Sequence, residues 1–293
     1  MKHLAEPIEP VTTDRRQALA AIDTLTRSAS YPVNGLCRVG KLASSPAGGG
    51  RGMTDSPLRR EAQILVTGAS RGIGAAIAVE LAARGHRVVG LSRRGSTPAG
   101  RGIACDVTDE ATLRAALAEV ASAGPLGGLV NCAGAHSAVA SARLPTESWE
   151  ATMRLNATAV LVACREAYPH LRAAGGGTIV NIGSYWDRLG IPGSVAYCAS
   201  KAAVGAITRC LAVEWAKDGI LVFNVAPGYV ETDLNRDYLA QEKVRAWLAQ
   251  RIPVGRPGRP EEVARVVAGL MESATPLLAG ETIYLDGGQS INQ

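Results

Sequence analysis

Short, wholly apolar runs alternate along the chain with longer stretches in which apolar residues recur every three or four positions. The alternation begins at Gln63. Ile64-Leu65-Val66 reads as a strand. A glycine-rich turn over Thr67–Gly74 separates it from a helical pattern running to about Arg84, and Arg87–Leu91 is the next strand. Strand, turn, helix and strand in about 28 residues make a βαβ unit. The same rhythm then continues. Gly102–Val107 reads as a strand, and Asp109–Ala121 as a helix with Thr108 as its N-cap. Gly128–Asn131 is a strand, and Glu147–Tyr168 a long helix broken or bent near Asn156. Gly177–Gly183 is a strand, Gly193–Ala216 a helix and Leu221–Val225 a strand. Residues 229–259 are polar and irregular, with a helical piece around Glu242–Ala249. Pro260–Met271 is a helix and Glu281–Leu285 a last strand.

Strands alternating this regularly with helices predict an α/β fold: a doubly wound parallel sheet in one domain, residues 61–293. Ligands on such sheets bind beyond the carboxyl ends of the strands. The glycine turn, Asn131-Cys132-Ala133-Gly134, Gly183-Ser184 and Pro227-Gly228 all fall at those ends.

Residues 1–60 lack the pattern. Gln17–Thr26 could form a short helix, and Ser44–Gly52 is a flexible linker by composition. Met53 follows a glycine-rich run directly. One reading makes residues 1–52 an extension upstream of a natural start at Met53; the other makes them a tail that docks a partner. The segment carries nine Lys and Arg against five Asp and Glu, so it supplies most of the net charge of +5. The remainder carries 22 against 21, which gives no broad basic field for nucleic acid or an anionic membrane. No apolar run reaches the roughly 18 residues of a spanning helix, and no secretory h-region follows the first lysine. The six cysteines and four histidines show no metal-ligand spacing, and a reducing cytoplasm fits them.

The glycines at 68, 72 and 74 allow a tight turn whose backbone approaches a pyrophosphate at a helix N-terminus. Further on, Tyr197 and Lys201 stand four apart, on one face of a helix. A neighbouring ammonium favours the phenolate, so the spacing predicts a tyrosine tuned for proton transfer. The chain has 26 Arg and five Lys, yet keeps Lys at 201, where a compact and tunable cation suits that chemistry.

With Thr67-Gly-x-x-x-Gly-Ile-Gly74, Asn131-x-Ala-Gly134, Ser184, Tyr197-x-x-x-Lys201 and Pro227-Gly228 in this order, the chain resembles the short-chain dehydrogenase/reductases. The resemblance covers about residues 61–293 and looks nearest to the 3-oxoacyl-(acyl-carrier-protein) reductase subgroup. Cys132 stands where the family commonly has a second Asn, and residues 1–60 have no counterpart in a typical member. The resemblance implies a Rossmann fold and a catalytic set of Asn156, Ser184, Tyr197 and Lys201. Tyr197 would be the proton donor or acceptor. Lys201 would lower its pKa and bind the nicotinamide ribose, Ser184 would orient the substrate oxygen, and Asn156 would hold a water leading from Lys201 to solvent. The implied cofactor contacts are Gly68, Ser70, Arg71, Gly72, Ile73 and Gly74 in the turn; Asp106 and Val107 after the third strand; Asn131, Ala133 and Gly134 after the fourth; and Tyr197, Lys201, Pro227, Gly228, Val230 and Thr232. No metal is implied. A homo-oligomer, tetramer or dimer, is.

The end of the second strand reads Ser92-Arg93-Arg94, where an NAD enzyme usually places an acid for the ribose hydroxyls. Arginines attract a 2′-phosphate and bind it bidentately, and Arg71 adds another cation, so the expected cofactor is NADP(H). The expected partner is a small carbonyl or alcohol substrate, carried on an acyl carrier in one reading. A sugar, polyol or other secondary-alcohol dehydrogenase is the alternative; a non-catalytic NADP(H)-binding regulator is the rival from another class. Trp186 and Asp187 are pocket candidates, and Tyr229 and Trp247 flank a variable segment that acts as a substrate lid in relatives. His136 reads as a loop histidine without a role, and Cys198 as packing.

Overall fold

The computed structural model describes residues 61–233, 235–273 and 275–292. The expectations placed on residues 1–60 lie outside the described residues. Seven strands form one sheet: β1 (Gln63–Thr67), β2 (Arg87–Ser92), β3 (Arg101–Ala104), β4 (Leu126–Asn131), β5 (Gly177–Ile182), β6 (Ile220–Pro227) and β7 (Thr282–Leu285). Their spatial order is β3-β2-β1-β4-β5-β6-β7, and every pairing is parallel. The order reverses between β1 and β4, and the crevice at their carboxyl ends is where such sheets take ligands.

Helices cover both faces, which is why the inner strands are apolar without polar alternation. On one face, Leu65 of β1 and Ile179 of β5 pack with Leu113 and Leu117 of α2 (Glu110–Ser122), Leu171 of α4 (Ala159–Ala173) and Val204 of α5 (Val195–Trp215). On the other, Ile64 and Val66 pack with Ile77 and Leu81 of α1 (Gly72–Ala83) and Val267 and Met271 of α8 (Pro260–Ser273). Successive residues of β1 thus serve opposite layers, as a period of two requires.

Three local expectations need correction. The N-cap of α2 is Asp109, whose carboxylate accepts from Thr112 N–H at 3.1 Å. Thr108 instead gives both its N–H and its hydroxyl to Asp106, at 2.9 and 2.7 Å, in a turn that competes with capping. That turn also ends β3 at Ala104 rather than Val107. Finally, the helix after β4 does not stop before Pro169 but runs to Ala173. Arg165 and Pro169 are both exposed, so water can serve the carbonyl that the missing N–H leaves open.

The predicted break near Asn156 is a π-helical turn, Arg154–Thr158, between α3 (Thr146–Met153) and α4. The segment after β6 holds a short helix, α6 (Arg236–Ala240), followed by α7 (Glu242–Arg251).

Candidate active site

The glycine turn closes against the neighbouring strand end. Thr67 Oγ1 accepts from the N–H groups of Cys132 and Ala133, at 3.0 and 3.2 Å, which ties the ends of β1 and β4 together. Gly68 has φ +69°, and a side chain there would meet Ala133 backbone at 2.9 Å. A Cβ on Gly74 would lie 2.3 Å from the carbonyl oxygen of Gly68. Both positions therefore exclude any larger residue. The N-terminus of α1 has neither a side-chain cap nor an acidic residue in its first turn. Its leading N–H groups face outward as an anion site. Ser70, Arg71 and Gly72 border a cavity of about 690 Å³ that Thr232 also lines.

Around this cradle lie the other expected cofactor contacts. Ile73 packs on the α1/α8 layer. Ser92 is buried and donates to Ser96 O at 2.9 Å, while Arg93 and Arg94 are exposed. Arg93 helps to hold the Asp106 carboxyl below its usual range, behind the two Thr108 hydrogen bonds that dominate. Val107 is buried against the α2 layer. Gly228 sits on Asp286, and a Cβ there would meet it at 2.8 Å. Val230 is buried, and Thr232 is pinned by Asn235 Oδ1, which accepts from both its N–H and its hydroxyl.

Asn131 does not turn its amide to the cleft. It is buried and donates to Asn181 Oδ1 at 2.9 Å; Asn181 in turn donates to Thr208 Oγ1 at 3.0 Å, and Thr208 to Val204 O at 2.9 Å. This buried polar chain fixes α5 to β4 and β5, and so fixes where Tyr197 and Lys201 stand. Asn181 and Thr208 are absent from the residues the sequence motifs point to; two polar residues in otherwise apolar segments were the available signal.

Tyr197 lies in the first turn of α5 and Lys201 one turn on. Lys201 is 6% exposed and donates to Ile182 O at 2.8 Å, with Nζ 5.8 Å from the Tyr197 ring centroid. Loss of water pushes the ammonium down to about 8, a value the Cys132 sulfur moderates. The Tyr197 phenol is pushed up by burial, and the Ser184 hydroxyl pulls it the other way. Burial thus sets the direction of the phenol's shift, opposite to the one expected from Lys201, whose own ammonium desolvation drives down. Ser184 is buried, and its hydroxyl accepts from Trp186 N–H at 3.2 Å.

Asn156 is wholly buried in the π-turn. Its Oδ1 accepts from Ala135 N–H at 3.0 Å; its Nδ2 donates to Ala135 O at 2.8 Å and to Ser200 Oγ at 3.1 Å. The amide therefore clamps the loop after β4, which holds Ala133 and Gly134, to α5. Its neighbour Ser200 donates to Tyr197 O at 2.7 Å, so the clamp reaches the backbone of the tyrosine itself.

His136, set aside on sequence grounds, stands beside Tyr197 with ring centroids 5.0 Å apart, and its Nε2 is 3.0 Å from Ser194 Oγ. Its place soon after Gly134, at a strand's carboxyl end, was the signal. Trp186 packs against both His136 and Tyr197. Asp187 instead faces Tyr284, whose hydroxyl donates to it at 3.1 Å. Cys198 is half-buried, and burial raises its thiol. Among the described residues no group of His, Cys, Asp and Glu could hold a metal ion, and no helix is long and apolar enough to cross a membrane.

This geometry can present a phenol and a serine hydroxyl to one oxygen, with a buried lysine one helical turn on, next to a backbone cradle for a phosphate-bearing ligand. Known proteins of similar sequence and fold are oxidoreductases by name. The family profile described as Enoyl-(Acyl carrier protein) reductase matches residues 68–290. The 3-oxoacyl-(acyl-carrier-protein) reductase FabG of Vibrio cholerae is 36% identical over 234 residues, 76% of this chain and 95% of that one. The cis-4-hydroxycyclohexanecarboxylate dehydrogenase of Sinomonas cyclohexanicum is 38% identical over 237 residues, 76% of this chain and 94% of that one. Among solved structures, a gluconate 5-dehydrogenase from Burkholderia cenocepacia in complex with NADP and tartrate superposes with a TM-score of 0.75 at 31% identity, covering 82% of this chain and 99% of that one.

Proposed function

The chain belongs to the short-chain dehydrogenase/reductase family of oxidoreductases, which act on CH–OH and C=O groups with a nicotinamide cofactor, and from that we propose that it reduces a ketone with NADPH, Tyr197 serving as the acid. The observation that carries the reading is the meeting of Tyr197, Ser184 and Lys201 at the carboxyl end of β5. When bound, the reduced nicotinamide supplies a hydride to the carbonyl carbon, so that ketone, NADPH and one proton become secondary alcohol and NADP⁺.

This chain's own residues do the rest. As the carbonyl oxygen gains charge, the Ser184 hydroxyl and the Tyr197 phenol donate to it, and the phenolic proton passes to that oxygen. A phenol raised by burial is held protonated at neutral pH, which favours the donor role and hence reduction. Lys201, titrating at about 8, stands ready near neutrality to return a proton to the phenolate. Asn156 and Ser200 keep the tyrosine in place.

The cradle fits a dinucleotide. Gly68 and Gly74 leave room for backbone alone beside a pyrophosphate, and the uncapped start of α1 offers its N–H groups. Arg93 and Arg94 stand at the end of β2 where an acid would select NAD, and their charge supports NADP(H). The NADP named with the Burkholderia structure agrees with this. The relatives' names span a carrier-bound thioester, a cyclohexane alcohol and a sugar acid, so a secondary-alcohol or sugar dehydrogenase running in the oxidative direction is the second reading.

Tyr197→Phe tests the proposal. Turnover should fall at least a hundredfold, while NADPH binding, followed by its fluorescence, stays within about threefold. Persisting turnover in this variant would show that another group delivers the proton.

A further inference from the structure

We propose that the carbonyl served by Tyr197 is carried on or in a ring, aryl or alicyclic, rather than on a flexible acyl chain or a polyol. The inference rests on the reading of Tyr197 given above and adds the substrate class. Aromatic residues are scarce in this chain, with one Phe, four Trp and seven Tyr in 293 residues. The buried layers on the sheet make little use of them: their fully buried members are aliphatic residues, cysteines, Met271 and Phe223. Yet Tyr185, Trp186, Tyr197, Tyr229 and Trp247 form one unbroken chain of ring contacts, and His136 extends it.

These rings come from separate places: the loops after β4, β5 and β6, and helices α5 and α7. What they share is one contact network that reaches Tyr197 directly through His136 and Trp186. Trp186 is the hub, meeting His136, Tyr197 and Tyr229 at 5.3, 5.7 and 6.2 Å with interplanar angles of 80°, 88° and 82°. Tyr229 meets Trp247 at 5.8 Å and 86°. Such near-perpendicular packing presents faces and edges of opposite polarity, and another ring extends it on favourable terms. A linear chain gains only contact area from the same walls.

The surroundings agree. The Asp187 carboxylate is already taken by Tyr284, and Arg251 lies at the outer end, 5.2 Å over Trp247.

The test uses the full chain with NADPH and with NADH. The substrates are an aryl ketone, a 4-substituted cyclohexanone, a linear ketone of equal carbon number, a 3-oxoacyl thioester and a keto-sugar acid. The ring ketones should exceed the linear ketone in kcat/KM by about tenfold or more, mainly through KM. Trp186→Leu should cut that ring-to-linear ratio. Trp247→Leu, remote from the reacting atoms, should cut it by about two- to tenfold, the worth of one edge-to-face contact; this variant carries the test if Trp186→Leu does not fold. Equal or better use of the linear ketone, thioester or sugar acid, or a ratio unmoved in Trp247→Leu, overturns the ring inference and leaves the reductase reading standing. Consumption of neither cofactor with any of the five substrates overturns both.

Discussion

Lys201 should be a liability to stability in the pH range where it matters to chemistry. It is 6% exposed, and burial takes its pKa from 10.5 to about 8. In the unfolded chain the same ammonium titrates near 10.5. Between these values the unfolded state binds more protons than the native state, so stability rises with pH across that window. Below pH 8 the native lysine is charged and carries its full desolvation cost, about 3 kcal/mol at 1.36 kcal/mol per pKa unit. Moving from pH 7 to pH 9.5 recovers about 2 kcal/mol of it by the same linkage. Other groups titrate in this range, the raised tyrosines among them, so the quantity to measure is a difference. Urea unfolding of the wild type and of Lys201→Met at pH 7 and pH 9.5 supplies it. Methionine fills similar space without a charge, and the lost hydrogen bond to Ile182 O costs the variant a near-constant amount at both pH values. The gap between the two proteins should therefore shift by about 2 kcal/mol in favour of the wild type as pH rises. Stability profiles that run parallel to within about 0.5 kcal/mol would refute the claim that Lys201 is desolvated and titrates early.

Two further outcomes follow from the cofactor cradle. Gly74→Ala pushes a methyl group to 2.3 Å from Gly68 O, which only a backbone shift relieves; thermal unfolding should show a loss of about 1–3 kcal/mol, and NADPH affinity should fall at least tenfold in a fluorescence titration. Replacing both Arg93 and Arg94 with Ser should lower the ratio of kcat/KM for NADPH over NADH by about ten- to a hundredfold at low salt, and by less at high salt because both side chains are exposed; an unchanged ratio would move the selection of cofactor elsewhere.

The scaffold was legible because its signals are local. Apolar runs such as Ile64-Leu65-Val66, bounded by glycine turns, mark buried parallel strands whatever lies beside them, and every expected strand and main helix from Gln63 onward is present. The Tyr197 and Lys201 pairing was likewise written in a spacing of four. What sequence could not give is what depends on distance across the fold. Asn131 looks like a cleft residue because it ends a strand, yet its amide donates to Asn181, 50 positions later in the chain, which in turn donates to Thr208. The competition between Thr108 and Asp109 for the head of α2 turns on two hydrogen bonds from Thr108 to Asp106, below the resolution of any propensity. The ring cluster could not be foreseen from composition either, since its members are spread from His136 to Trp247. The phenol's shift was misjudged for a similar reason: spacing reveals a cation nearby, but not how much water the fold has removed from it.

The π-turn at Arg154–Thr158 bears on how the site tolerates change in chain length. One extra residue in a helical ladder turns everything beyond it by about 100° relative to an uninterrupted α-helix. Helices α3 and α4 are therefore out of phase, and each can aim its apolar stripe at a different neighbour while Asn156, at the slip, turns inward to Ala135 and Ser200. Position in the count, as much as identity, delivers that amide. A one-residue deletion here would keep every chemical group and still send the clamp to the wrong address, whereas many substitutions on the outer face of the same segment would leave it untouched.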